Sequence, residues 1–247
     1  MAEYAHDIVV PYKESGKSKK SQVADMFDDI APRYDFLNRF LSAGIDVVWR
    51  KKALDFLSAN PPQQLLDIAT GTADVALMAE KKFHPRSIIG VDISDGMLEI
   101  GRKKIIAAGL EDKITLMNAD SAALPFDNNS FDAVTVAFGV RNFQYLEKGL
   151  SEIYRVLRPG GRLVVLEFSR PKRQPIKALY GFYMNKVAAN LGKLFSKNNC
   201  AYGYLDESIR KFPEGKDFTK VLDVSGFKNT LIKPLSLGIC CIYCGTK

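Results

Sequence analysis

From Leu65 onward, short β-rich apolar runs alternate with segments of helical spacing, and this alternation restricts the fold more than any other feature of the chain. Residues 65–69, 87–92, 114–117, 133–137, 163–167 and 239–243 read as strands. Residues 74–82, 96–108, 147–157, 176–195 and 218–224 read as helices. Strands joined through helices pair in parallel, and a parallel sheet needs both faces covered. The expected class is therefore doubly wound α/β. No internal repeat points to a solenoid.

The first 60 residues follow another pattern. Residues 1–20 are polar and lysine-rich, which predicts a mobile arm. Ser21 then precedes Val23, Met26, Phe27 and Ile30, the spacing of a short amphipathic helix capped by Ser21 and ended by Pro32. Further helices are expected over 35–41, broken at Gly44, and over 47–57, ended by Asn60, Pro61 and Pro62.

At 247 residues the chain suits one domain with a single well-buried core. No apolar run approaches the roughly 18 residues that span a bilayer, and the start MAEYAHDIVVPYKESG lacks the blocks of a signal peptide. A cytoplasmic location is expected. Cys240, Cys241 and Cys244 crowd into one apolar run, where buried thiols are a better reading than a metal site, since no second pair or nearby histidine completes a ligand set. The net charge of +7 is uneven. Lys13, Lys17, Lys19 and Lys20 cluster near the start, and Arg170, Lys172, Arg173, Lys177, Lys186, Lys193 and Lys197 fall where no acid stands between Glu167 and Asp206. That field suits an anionic partner, nucleic acid or an acidic membrane surface; a solvated face explains it equally.

The chemistry begins at Asp67-Ile-Ala-Thr-Gly71-Thr72-Ala-Asp74, a turn between the first strand and its helix. Glycine there allows a ligand close to the backbone, at the strand ends where open α/β sheets bind. The next strand ends on Asp92, about 20 residues later, as a carboxylate that holds a ribose diol would. Together these features indicate a nucleoside cofactor. The turn lacks the three glycines of a dinucleotide site, and Asp67 and Asp74 flank it with negative charge. Carboxylates repel a pyrophosphate but suit an ammonium and a sulfonium, which favours S-adenosylmethionine over NAD. Asp120 and Ser121 follow the third strand, beside the expected adenine, and Arg141 and Asn142 follow the fourth, near the expected methyl. A turn or cap for the first pair, and a salt bridge and a cap for the second, are the structural alternatives.

Tyr34-Asp-Phe-Leu-Asn38 with Leu41-Ser42 and Trp49, Phe138-Gly-Val-Arg-Asn142, Arg155-Val-Leu-Arg-Pro-Gly-Gly161 through Glu167-Phe168, and Tyr202-Gly-Tyr-Leu205 with Glu207-Ser-Ile209 closely resemble the ubiquinone/menaquinone biosynthesis C-methyltransferase family. The resemblance runs from about Tyr34 to the end. It implies a class I S-adenosylmethionine-dependent, Rossmann-like methyltransferase with a mostly parallel seven-stranded sheet and helices on both faces. It implies an organisation in which 1–60 supply an arm and helices covering the active site. Residues 61–247 would then be the methyltransferase domain, with a lid inserted at about 170–213, the whole being one structural domain. Cofactor contacts are implied at Thr72, Asp92, Asp120 and Ser121, to which the turn itself adds Asp67 and Gly71. A contact commonly made by serine matches Ala137, so that hydrogen bond is lost, and Asp46 stands where the family commonly has histidine.

The implied reaction carries a methyl to a ring carbon of a polyprenylated hydroquinone, demethylmenaquinol or, alternatively, a benzoquinol of ubiquinone biosynthesis. Such a carbon becomes nucleophilic once a neighbouring hydroxyl, of pKa about 10, gives up its proton. Arg141 and Asn142 are the candidate catalytic residues, with Tyr180, Tyr183, Tyr202 and Tyr204 as further groups to orient the ring; His6 and His84 are placed too far away. The basic stretch interleaves with Phe182, Met184, Val187, Leu191, Leu194 and Phe195, a pattern for lying on a lipid surface at the inner face of the cell membrane. An RNA methyltransferase and a non-catalytic cofactor-binding scaffold are the rival readings; no RNA-binding module is recognisable, so nucleic acid is not expected.

Overall fold

The computed structural model describes residues 4–182 and 200–247, leaving aside the side chains of Cys200 and Tyr202. Three helices come first: α1 (Lys19–Ile30), α2 (Tyr34–Leu41) and α3 (Ile45–Asp55). The Ser18 side chain, not Ser21, caps α1, accepting from the Ser21 backbone N–H. Pro32 does not break the chain away. It sits in a 3-10 turn (Ala31–Arg33) that runs directly into α2, where proline's missing N–H costs nothing. Gly44, at φ +78°, makes the left-handed step into α3.

The alternation then follows as read: β1 (Gln64–Ile68), α4 (Asp74–Phe83), β2 (Ser87–Asp92), α5 (Asp95–Ala107), β3 (Ile114–Asn118), β4 (Phe131–Ala137), α6 (Leu146–Val156) and β5 (Leu157–Phe168). After β5 come α7 (Ile176–Phe182), α8 (Cys200–Lys211), α9 (Lys216–Val224), β6 (Lys228–Leu235) and β7 (Cys240–Thr246). The helix expected over 176–195 is described only to Phe182, and the remainder lies outside the described residues. The seven strands form one sheet in the order β3-β2-β1-β4-β5-β7-β6. Neighbours pair in parallel from β3 to β5, while β7 runs antiparallel to both β5 and β6.

Each face of the sheet is covered. Leu66 and Val134 join Leu150 and Ile153 of α6 and Phe218 and Leu222 of α9 on one side; Leu65 and Ala133 join Leu54 of α3, Ala76 of α4 and Leu98 of α5 on the other. Successive strand residues thus enter opposite cores, the period of two expected of a pleated strand. Cys240, Cys241 and Cys244 are free and buried in β7, and burial pushes all three thiols up.

Residues 4–18 are not a mobile arm. His6 and Val9 are buried, with the His6 ring edge-on to Phe212 at 5.4 Å. Lys19, counted among the surface lysines from sequence, is only 5% exposed; its Nζ donates to the His6 carbonyl at 2.6 Å. Burial lowers its pKa to about 8.

Candidate active site

The chain leaves β1 for β2 and β3 on one side and returns to β4 on the other, so β1 and β4 flank the switch in strand order. A crevice opens there beyond the strand ends, where such folds bind ligands. The turns that floor it lie very close together. A Cβ on Gly139 would stand 2.3 Å from the Ala69 Cβ, so only glycine fits after Phe138. Gly71 adopts φ +55°, with nothing within 4 Å of where its Cβ would be, leaving its backbone open to a ligand.

The resulting cavity, about 700 Å³, is walled by Gly71, Asp92, Asp120, Ser121, Ala137 and Asn142. Gly71 N–H donates to Asp92 Oδ2 at 2.8 Å and Ser94 N–H to Oδ1 at 3.0 Å. A carboxylate has about four acceptor sites, so Asp92 is oriented and still able to accept from a diol. Burial raises its pKa. Asp120 bonds the Ala122 N–H at 2.9 Å and the Lys20 ammonium at 2.9 Å. Ala137 offers only a methyl to the wall. A strand-end acid, an open glycine backbone and a second acid one strand away match the polar groups of a nucleoside with an aminoacyl arm, so the residues fit S-adenosylmethionine.

Two residues expected to touch the cofactor are placed elsewhere. Asp67 is fully enclosed beneath the turn, accepting from the Thr70 hydroxyl at 2.7 Å and the Thr135 hydroxyl at 2.6 Å, and burial pushes its carboxyl up to about 6. Its part is to shape the turn. The Thr72 hydroxyl donates to Asp35 at 2.6 Å and accepts from Lys104 at 3.0 Å, away from the cavity wall. Both sit one residue from groups that do line it, a distinction that side-chain direction decides and spacing alone does not.

A second cavity, about 1,220 Å³ and mostly apolar, adjoins the first, and Phe27, Tyr34 and Phe138 line both. Its walls come from α1 to α3, the ends of β4 and β5, α7 and α8. Trp49 braces it: the indole N–H donates to Ser236 at 2.8 Å while the ring meets Phe168 edge-on at 6.2 Å. Asp46 lies between the Arg39 and Arg50 guanidiniums and accepts from Ser42 at 2.7 Å, a locked ion cluster rather than a free base.

Arg141 reaches this second cavity and Asn142 the first. Both are nearly buried. Arg141 Nη1 donates to Glu167 at 2.9 Å and to the Phe138 carbonyl, and the guanidinium carbon lies 5.6 Å from the Phe168 ring centre. Its Nε is buried with no hydrogen-bond partner among the described residues. Burial raises the Glu167 pKa. The Tyr204 hydroxyl donates to Asn142 Oδ1 at 3.0 Å, which leaves the amide N–H groups as donors. Burial drives the Tyr204 pKa well above the usual phenol value and that of Tyr180 to about 12, so both are neutral and both line the acceptor side. Tyr183 and the Tyr202 side chain lie outside the described residues. His84 is exposed, and His6 is buried with its pKa lowered to about 3; neither reaches a cavity wall.

Sequence reasoning missed Lys20, Phe27 and Tyr34 as site residues. Lys20 and Phe27 belong to α1, which Asp28 docks against the start of α5 by accepting from Ser94 Oγ at 2.6 Å and Gly96 N–H at 2.8 Å. Nothing local to α1 signals that docking, whereas Tyr34 was legible in its motif without a role.

The model of the ubiE/COQ5 methyltransferase family matches residues 15–247. A demethylmenaquinone methyltransferase of Bacteroides fragilis is 48% identical, covering 99% of each chain. A ubiquinone/menaquinone biosynthesis C-methyltransferase UbiE of Geotalea daltonii is 46% identical over 93% of this chain and 97% of its own. Among solved structures, an S-adenosylmethionine-dependent methyltransferase of Thermotoga maritima superposes with a TM-score of 0.60 at 21% identity, covering 90% of this chain and 99% of its own, a likeness of fold. With a match that takes in both cavities and nearly every residue around them, the chain belongs to the ubiE/COQ5 methyltransferase family.

Proposed function

We propose that the protein transfers a methyl group from S-adenosylmethionine to a ring carbon of a polyprenylated quinol, with demethylmenaquinol as acceptor and menaquinol as product. The observation that carries this reading is the junction of the two cavities at Phe27, Tyr34 and Phe138, one polar and lined by strand-end acids, the other mostly apolar with the Arg141 guanidinium in its wall. The relatives' names, menaquinone in one and both quinones in the other, support the substrate class and lean to the naphthoquinol.

The cofactor, when bound, supplies an electrophilic methyl on a sulfonium. Asp92 holds the ribose end, Asp120 and Ser121 the adenine edge, and the Gly71 backbone lies along the aminoacyl side. On the acceptor side Arg141 presents a fixed positive charge near a ring oxygen, which lowers the cost of the phenolate that activates the neighbouring carbon. Asn142, oriented by Tyr204, donates from the cofactor side, so the ring oxygen is held where the two cavities meet. The apolar walls exclude water and position the carbon in line with the methyl. A cavity with mostly apolar walls does not suit a nucleotide strand, which needs a basic groove with stacking platforms.

A prenyl tail does not leave the bilayer at useful concentration, so the protein collects its acceptor at a membrane surface, with the region of about 170–213 as the lid. Lys186, Lys193 and Lys197, the lysines given that role from sequence, lie outside the described residues. Among the described residues no helix is long and apolar enough to cross a membrane. The reading is tested by the quinone profile of cells lacking the protein. Mass spectrometry should find a quinone one methyl short of the normal product, and an unchanged profile would overturn the assignment.

A further inference from the structure

Seven of the twelve large apolar residues exposed among the described residues stand on elements that wall the acceptor cavity. Each element turns one side chain inward and a neighbour outward. On α2, Leu37 and Leu41 face the cavity while Phe36 and Phe40 stack outside at 5.8 Å between ring centres. On α3, Trp49 points in, and Ile45 and Val48 point out. On α7, Tyr180 lines the cavity between Leu179 and Phe182, which are 70% and 59% exposed. In the turn before β7, Ile239 lines it and Leu237 is 74% exposed.

These elements are neighbours in space as well as in role. Arg39 and Ser42 tie α2 to Asp46 of α3, Trp49 ties α3 to Ser236 beside Leu237, and Tyr180 brings α7 to the wall of the same cavity. The outward apolar side chains therefore form a collar around the cavity, not scattered single exposures. A collar of this kind marks an interaction surface. Its charge selects the partner. Lys51 and Lys52 follow Val48 by three and four residues on the same face of α3, both exposed, with no ion pair among the described residues.

We propose that this collar docks the protein onto an anionic lipid bilayer, with Phe40, Val48, Leu179 and Leu237 entering the headgroup boundary and Lys51 and Lys52 meeting the phosphates. The inference rests on the acceptor reading above and deepens it: the prenyl tail then passes from the bilayer into the cavity between elements that are apolar on both sides. Apolar side chains entering the interface with lysines beside them bind by burial and charge together, as amphipathic surface elements do. The docking surface this assigns centres on α2, α3 and the Leu237 turn, and not on the lysines beyond Phe182.

The test uses the full-length protein with vesicles of phosphatidylglycerol and phosphatidylcholine. Wild type should sediment with them in a salt-sensitive way. Phe40→Asp with Leu237→Asp should weaken that binding by roughly 100-fold, about tenfold for each buried side chain lost. Lys51→Glu with Lys52→Glu should weaken it by roughly 30-fold or more and remove most of the salt dependence. Melting temperature and S-adenosylmethionine affinity should stay at wild-type values in both. If the apolar variant sediments like wild type, or wild type does not sediment, the proposal is wrong. If it instead loses melting temperature, the collar is packed against the chain itself, and if it changes the protein's mass in lipid-free solution, the collar is a self-association face; either result also overturns it. Vesicle binding lost as expected, in a protein that methylates no quinol, would retain the docking surface and reject the acceptor reading.

Discussion

The two cavities differ in what builds them. The cofactor side is made of strand ends and the turns that follow, Gly71, Asp92 and Asp120, so its polar groups are fixed by the sheet itself. The acceptor side is made largely of helices set before the sheet and between β5 and β6, and its charged groups are fixed by one another: Arg141 by Glu167 and Asp46 by two arginines. A site held by the sheet can lose a side chain and keep its shape. A site held by buried ion pairs loses both together, because removing one charge strands the other.

That contrast is broken most severely at Arg141. Arg141→Ala leaves Glu167 charged and enclosed, and should cost about 3–5 kcal/mol of stability, read by urea denaturation, together with most of the turnover. A loss of stability near zero would mean the pair does not hold the acceptor side. Asp92→Ala should show the opposite balance. Calorimetry should find S-adenosylmethionine affinity reduced roughly 100-fold, with stability down by no more than about 1–3 kcal/mol from the unbonded Gly71 and Ser94 amides. Equal damage to fold and affinity would erase the distinction between the two sides.

The N-terminal segment ahead of α1 carries its own signature. Burial holds His6 neutral in the fold, lowering its pKa from 6.5 to about 3. A depressed folded pKa contributes stability that is present above pH 6.5 and is lost as pH falls toward 3, at about 1.4 kcal/mol per pH unit. Asp67, whose folded pKa is raised, changes in the opposite sense between about 4 and 6, so the comparison that isolates His6 is wild type against His6→Phe. The variant should lack that part of the acid slope. Parallel curves would show that His6 is not buried as described.

The smallest effect is expected at Tyr204→Phe, which removes one hydrogen bond worth about 1 kcal/mol. Single-turnover rates on a short-tailed quinol should fall several-fold while cofactor affinity is unchanged, and Asn142→Ala should lower the rate further without compounding with it, since both act through one contact. A shared loss of cofactor affinity would move the pair to the cofactor side.

The same contrast explains what was legible in the sequence. Strand periodicity and the acids at strand ends are local signals, so β1 to β5 and the Asp92 and Asp120 positions could be read directly. The β6 strand was not, since Lys228–Leu235 is an exposed edge that tolerates Pro234 and shows little apolar alternation. The α8 helix was likewise seen only as a motif. The burial of His6 and Lys19, and the reach of Lys20 to Asp120, depend on where α1 docks, about 100 residues away in sequence for that last pair. Polar and lysine-rich composition pointed to a solvated arm because composition carries no record of a tertiary partner.

The central claim is most directly tested by incubating the purified protein with S-adenosylmethionine carrying a deuterated methyl and with reduced demethylmenaquinone in detergent, then analysing the quinone by mass spectrometry. One intact labelled methyl on a ring carbon of the naphthoquinol is the predicted result, absent with Asp92→Ala. A labelled methyl on oxygen, or none transferred to any prenylated quinol while the cofactor binds normally, would contradict the account.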